Sequence, residues 1–368
     1  MTEQQGTTYE TAGVSIDAGD KAVELMKVWI DKARRPEMLG GIGGFAGLFD
    51  ATALKAYDHP LLATSADGVG TKVAIAQAMD VHHTIGFDLV GMLVDDLVVC
   101  GAEPLFLTDY IATGRVVPER VAAIVQGIAE ACVQAGCALV GGETAEHPGL
   151  LGPDEYDVAG STTGVVEAAD LLGPGRVEVG DAVVAMGSSG LHANGYSLVR
   201  HVLLGPRSTG GAGWALDRDV DELGRTLGEE LLTPTTIYAK ACLDLARSVT
   251  GTHAMSHVTG GGLAANLARV LPDGVVAVVD RGTWTPQPVF DLVRRVGAVA
   301  REDLERTLNC GVGMVAVTTP EDADRAVAVL RGHGLDAWVC GQVIAATGAV
   351  GEPTGGSARL TGTHPGWA

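Results

Sequence analysis

The spacing of apolar side chains changes period many times along the chain, and each change marks an element. Residues 118–136, "PERVAAIVQGIAEACVQAG", carry apolar positions at helical spacing, with Pro118 in the first turn and Gly136 just past the end, which predicts a strongly amphipathic helix. A partial stripe of Val23, Met26, Val28 and Ile30 predicts a helix over 17–33 opened by Asp17. Residues 84–100 predict a third helix, apolar on most sides. Short apolar runs bounded by Gly, Pro or acids predict strands at 61–66, 103–114, 137–143 and 156–167. Between the first helix and the first strand, Pro36 and five glycines in 34–47 break regularity.

The connector 168–181, "AADLLGPGRVEVGD", is turn-rich and charged and reads as a domain boundary. Beyond it the pattern predicts strands at 182–187, 253–258, 275–280, 312–318 and 336–344. Helices are expected at 195–204, 234–248, 262–270, 286–297 and 320–333, with the Gly-rich, charged stretch 205–230 as a surface excursion. This mixed order implies an α/β (α+β) protein of two mixed domains. The expected bounds are 1–170 and 171–345, with 346–368 as a disordered tail.

Composition narrows the function classes. Among 368 residues, 46% are hydrophobic, so a packed core is expected rather than disorder. The formal net charge of −20 lacks the basic footprint that nucleic-acid binding requires. It also repels a phosphorylated ligand at long range, so any phosphate site must use backbone N–H groups, a few cations or metal ions. The six cysteines form no C-x-x-C pair, which suits buried thiols in a reducing compartment. The first 20 residues have neither a basic nor an apolar leader region, and no uncharged apolar run is long enough to span a bilayer. The expectation is a soluble cytoplasmic protein with no membrane or nucleic-acid partner.

Three places can carry chemistry. In "LLATSADGVGTK", 61–72, a strand runs out into Asp67, Gly68, Gly70, Thr71 and Lys72. This is not a P-loop, because Thr71 precedes Lys72. Its glycines permit close backbone approach to a phosphate, and an acid beside a phosphate calls for a divalent cation such as Mg²⁺. An ordinary Asp-Gly turn fits the spacing equally well. In "IGFDLVGMLVDDLVVCGAEP", 85–104, Asp88, Asp95 and Asp96 interrupt an apolar helix. Asp88 and Asp95 are seven apart and share a face. No Lys or Arg lies within the segment, so either metal neutralises these acids or they line a narrow solvent stripe. The third place is a set of Gly-rich turns: 139–149 with Glu143 and Glu146, 186–198 with Ser188, Ser189, His192 and Asn194, and 256–267 with three glycines. "GGIGGFA", 40–46, nearly fits a dinucleotide fingerprint, but no strand precedes it, and that reading is rejected.

Taken together and in order, "TAGVSIDAG" (11–19), "RRPEMLGGIGGF" (34–45), "DGVGTK" (67–72), "GGETAEHPG" (141–149), "SSGLHANGYSLVR" (188–200), "LTPTTIY" (232–238), "HVTGGG" (257–262) and "NCGVGM" (309–314) resemble the phosphoribosylformylglycinamidine cyclo-ligase, or AIR synthetase, family over about residues 9–345. The resemblance implies an N-terminal domain forming a barrel across a homodimer, and a C-terminal domain of AIR-synthetase type. It implies ATP-dependent closure of a phosphoribosyl substrate, formylglycinamidine ribonucleotide, to aminoimidazole ribonucleotide. It implies Mg²⁺ at Asp67 and Asp96, with Glu143 a third candidate. Gly68, Val69, Gly70, Thr71 and Lys72 would cradle ATP, with Gly141, Gly142, Glu143 and Thr144 and the loop Thr259, Gly260, Gly261 and Gly262 as further nucleotide- or phosphate-binding candidates. His192 would assist proton transfer or oxyanion stabilisation, Asn194 would orient its loop, and Lys27 matches a lysine near ATP. Asp95 departs from the Asn common in the family, which leaves its role open. Other ATP-dependent phosphoryl-transfer enzymes of the same superfamily are the alternative.

Overall fold

The computed structural model describes residues 13–41, 44–347 and 355–367. Residues 11–12 and 42–43 of the matched motifs lie outside the described set. Helix α1 (Ile16–Lys32) starts one residue before the predicted Asp17, because the Ser15 side chain accepts from Ala18 N and caps it. Two short strands, β1 (Met38–Leu39) and β2 (Leu48–Phe49), pair antiparallel.

The first sheet is built from β3 (Pro60–Gly68), β4 (Glu103–Thr113), β5 (Ala138–Glu146) and β6 (Tyr156–Glu167), in the order β3-β6-β4-β5. Only the β4–β5 pair is parallel, and α4 (Pro118–Ala135) makes that crossover. Helix α2 (Val73–Met79) follows β3, and α3 (Thr84–Val98) lies across the sheet. Leu93 and Leu97 of α3 press on Gly160 and Gly164 of β6, so the glycines admit the helix close to the strand.

Helices α3 and α4 meet backbone to backbone. A Cβ on Gly86 would lie 2.2 Å from Ile128 N, and one on Gly127 would lie 1.8 Å from His83 O. Between α4 and the first sheet nearly all of α3 is buried, including Leu89, Val90, Leu93 and Val94 at 0% exposure.

The second sheet comprises β7 (Ala182–Gly187), β10 (Thr252–His257), β11 (Val275–Asp280), β12 (Val312–Thr318), β13 (Ala337–Ala345) and β14 (Ser357–Thr361), in the order β10-β12-β7-β13-β11-β14. Helices α5 (Tyr196–Leu203), α7 (Ala239–Ser248), α8 (Gly262–Ala268), α9 (Pro288–Val296), α10 (Arg301–Thr307) and α11 (Ala323–Gly332) surround it. Alternation along β7 sends Val184 and Met186 into a core shared with the first half, and Val183 and Ala185 into a second core with Leu263 and Leu267 of α8.

Three expectations need correction. The stretch 205–230 is more than an excursion: it holds the hairpin β8 (Asp219–Val220) and β9 (Arg225–Thr226), then α6 (Leu227–Leu231), and buries Val220, Leu227 and Leu231 in the main core. The helix expected over 234–248 begins only at Ala239, because the irregular segment 232–238 is tied to two buried carboxylates described below. The tail expected to be disordered contributes β14, which pairs in parallel with β11 from Val276↔Ser357 to Asp280↔Thr361. Its short polar–apolar alternation puts Ala358 and Leu360 on the second core.

Gly86→Ala is expected to cost about 1–3 kcal/mol by overpacking the α3–α4 contact. Urea unfolding checks this, and an unchanged midpoint would contradict the backbone contact.

Candidate active site

Helix α3 presents three acids, and each takes a different partner. Asp88 is fully buried and Lys72 Nζ donates to its Oδ1 at 2.8 Å. The same oxygen accepts from Thr235 N at 3.0 Å and Thr235 Oγ1 at 2.6 Å. Asp95, seven residues on and on the same face, accepts Tyr238 N at 3.0 and 3.2 Å. Gly91 lies between them and leaves room for Thr235 Cγ2. The shared face predicted from spacing therefore clamps the segment 232–238. Burial pushes Asp95 up to about 7, although His257 and the Tyr238 amide pull the other way. Either Asp or Asn can accept the Tyr238 amide, which accounts for the departure at this position.

Lys72 requires a correction. Its ammonium is fully buried and donates to Asp88, to His192 O at 2.9 Å and to Thr233 O at 2.7 Å. Three donated bonds use all three protons, so Lys72 is a tie between loops rather than a phosphate ligand. Burial pulls the Lys72 pKa down and pushes that of Asp88 up. The attraction and hydrogen bond between the two oppose both shifts.

The rest of the 67–72 loop stays open. Asp67 is exposed at the end of β3, and its Oδ1 accepts Gly68 N at 2.7 Å. Val69 is buried, with its N–H on Val158 O at 3.0 Å. Gly70 has φ +72°, a conformation that favours glycine. Thr71 is exposed and its Oγ1 lies 3.3 Å from Ser197 Oγ, so this loop also touches the start of α5.

His192 sits in the left-handed region at φ +61° and is 2% exposed. Its Nε2 accepts Ser189 N at 3.3 Å, while Nδ1 is buried without a partner. Burial holds its pKa well below the ordinary value, and His257 and Lys72 add to that. The ring is therefore neutral, with the proton assigned to Nδ1. Gly313 makes room for it: a Cβ there would lie 2.1 Å from Tyr238 Oη and 2.6 Å from His192 Cε1. Asn194 Nδ2 lies 3.1 Å from Met92 Sδ on α3.

The third loop follows β10. His257 Nδ1 lies 2.9 Å from Asp96 Oδ1, and Asp96 remains 44% exposed. Thr259, Gly260, Gly261 and Gly262 then turn into α8, with Gly261 and Gly262 at positive φ. Asn266 Nδ2 holds the turn through the carbonyls of Thr259, Gly260 and Gly262 at 2.9–3.3 Å. Sequence reasoning missed His257 and Asn266. The i, i+4 spacing of Gly262 and Asn266 was the available signal.

Two further calls need correction. Gly141, Gly142, Glu143 and Thr144 do not form a loop after a strand; all four lie within β5. Gly142 gives up its side-chain space to Asp109, whose Oδ1 would lie 1.9 Å from a Cβ there. Glu143 does not join Asp67 and Asp96. The register Asp67↔Gly160↔Asp109↔Gly142 puts it on the opposite face from Asp67, and three strand spacings away, roughly 14 Å. Among the described residues no group of three or more His, Cys, Asp or Glu is arranged to hold a metal. Lys27 lies exposed on α1, whose buried Ala22 and Met26 face the main core.

Three loops, 67–72, 188–195 and 257–262, thus meet α3 along its length, at Asp88, Met92 and Asp96. A cleft of about 710 Å³ opens beside the second of them, lined in part by Ser188, Ser189, Trp284, Gln287 and Trp338.

Residues 49–166 match the family described as AIR synthase related protein, N-terminal domain, and residues 178–352 match its C-terminal domain. The chain is 52% identical over 342 residues to a phosphoribosylformylglycinamidine cyclo-ligase of Anaeromyxobacter sp. (strain Fw109-5), covering 93% of this chain and 97% of that one. The cyclo-ligase of Syntrophotalea carbinolica (strain DSM 2380 / NBRC 103641 / GraBd1) is 47% identical, over 96% and 99%. Among solved structures, thiamine-monophosphate kinase from Stenotrophomonas maltophilia K279a shares the fold at a TM-score of 0.64 and 18% identity, over 95% and 98%. Hydrogenase maturation protein HypE in complex with ATP does so at 0.61 and 20%, over 90% and 89%.

Lys72→Met strands Asp88 without a counter-charge and is expected to cost about 3–5 kcal/mol. Adding Asp88→Leu should recover part of that loss in urea unfolding. A single-variant loss below about 1 kcal/mol would contradict the buried pair.

Proposed function

We infer the reaction from one premise: the chain belongs to the phosphoribosylformylglycinamidine cyclo-ligase family. Its function is ring closure of formylglycinamidine ribonucleotide to aminoimidazole ribonucleotide in purine biosynthesis, with ATP as the energy source. The observation that carries this to the site is the tie from Lys72 to His192 O and Thr233 O, which locks three family motifs to one another.

A formamide oxygen is a poor leaving group, and phosphorylation by ATP makes it a good one. Attack by the amidine nitrogen then closes the ring and expels phosphate. Such chemistry depends on positioning and charge neutralisation. Asp67 and Asp96 suit Mg²⁺: both are exposed, and each has a second carboxylate oxygen without a hydrogen bond among the described residues. Mg²⁺ held there would offset the charge of the ATP phosphates. Gly68, Gly70 and Thr71 would line the phosphates. Thr259 to Gly262 would serve either ATP or the ribose phosphate. Neutral His192 has a spare Nδ1 and would assist proton movement during closure, with Asn194 supporting its loop.

A homodimer is part of this proposal. The first sheet is open in one chain, and Leu62 and Tyr110 on the face away from α3 are 65% and 41% exposed. A second copy closing a barrel would cover that face. No helix among the described residues is long and apolar enough to cross a membrane. A cytoplasmic location and the absence of a nucleic-acid partner belong to the same proposal.

ADP release should depend on added formylglycinamidine ribonucleotide; release at the same rate without it would point to a sibling activity. In that assay Asp67→Asn, Asp96→Asn and His192→Gln are each expected to lower kcat by on the order of 10²-fold, and parent rates would remove those residues from the mechanism.

A further inference from the structure

The segment 356–367 lies outside the family motifs, yet it reaches the supports of two site loops. His364 is 2% exposed and sits edge-on between Trp284 and Trp367, with ring centroids 4.7 Å from each. Its Nε2 lies 3.5 Å from Glu305 Oε1. Glu305 forms a two-pronged pair with Arg281, Nε to Oε1 and Nη2 to Oε2, both at 2.7 Å. Arg281 Nη1 also donates to Gly362 O at 3.3 Å. Burial pushes the Glu305 carboxyl up, but His364 and Arg281 outweigh it and hold the group down at about 2.

Two routes lead inward. Trp284 Nε1 donates to Cys310 O at 2.9 Å, and Cys310 is itself at φ +47°. Next to it, Gly311 O accepts Ser188 N at 3.0 Å, and Asn309 joins Ser188 Oγ and Gly190 O at 3.1 and 2.9 Å. Those are the first residues of the His192 loop. The second route runs through α10. A Cβ on Gly262 would lie 1.7 Å from Glu305 O, and one on Gly195 would lie 2.3 Å from Leu308 Cδ2. The helix that carries Glu305 is therefore the floor under both Gly-rich turns.

We propose that the segment 356–367 is a clasp that positions the His192 and Thr259–Gly262 loops, with His364 and Trp284 as its positioning residues. The aromatic stack fixes Trp284, Trp284 fixes the strained Cys310 peptide, and that peptide sets where Ser188 and the His192 loop begin. Arg281, bonded to Gly362 O and twice to Glu305, fixes α10 beneath the second loop. Trp284 also forms one wall of the cleft, so the clasp shapes the cavity beside the catalytic loop. The effect on turnover rests on the cyclo-ligase reading; the effect on loop order does not.

The test uses the full chain and two readouts, steady-state ADP release and amide hydrogen exchange. His364→Ala should lower kcat at least tenfold, leave KM for ATP within twofold, and speed exchange in 188–195 and 309–313. His364→Phe keeps the aromatic stack and should restore both values. Trp284→Phe removes the Nε1–H together with part of the indole ring and should speed exchange at 310–311 while β7 keeps the parent rate, which separates positioning from global loosening if His364→Ala does not fold. Parent exchange rates at 309–313 in both His364→Ala and Trp284→Phe would overturn the clasp. A parent chain that releases no substrate-dependent ADP would overturn the cyclo-ligase reading instead, with the exchange result still deciding the clasp.

Discussion

An ammonium group sealed from water must find an acceptor for every proton it carries. Lys72 finds its three on a helix, on the His192 loop and on the segment before Tyr238. Desolvation is costly for such a group unless its geometry is fully satisfied. The three segments therefore cannot shift independently without exposing an uncompensated charge. The site depends on that constraint more than on any one apolar contact. It places the His192 carbonyl, and with it the left-handed turn that aims the ring, at the end of the first sheet.

Much of the architecture was legible because period 2 and period 3.6 are imposed by burial, which acts through local sequence. The helix at 118–136 and the strand at 312–318 are found where alternation and capping put them. The i, i+7 rule correctly placed Asp88 and Asp95 on one face. The identity of their partners was not legible: Thr235 and Tyr238 are more than 140 residues away, and no periodicity encodes a contact of that range. The apparent shortage of cations around α3 led to metal as a way to neutralise Asp88, when Lys72 supplies the charge from outside the segment.

The misread glycines have a common origin. A glycine marks a place where a side chain would collide, but the sequence does not say with what. At 141–142 a turn or phosphate was expected, while the neighbour at Gly142 is the Asp109 carboxyl across a parallel pair. At Gly86 and Gly127 it is a second helix backbone, and at Gly313 it is the Tyr238 and His192 rings. Gly70, Gly190, Gly195, Gly261 and Gly262, at positive φ in the three site loops, match the flexible-backbone reading. The segment 355–367 was misjudged for a related reason, since its few apolar residues suffice once β11 offers an unpaired edge.

The main apolar core does not stop between the two sheets. Side chains of α3 and α4 belong to the same buried cluster as Val184 and Met186 of β7 and Leu330 of α11. Halves welded in this way have no greased seam along which to hinge, because parting them would wet a continuous oil-like interior. Motion at the site is then left to the rim, to the loop glycines and exposed side chains such as Thr71, over a rigid foundation.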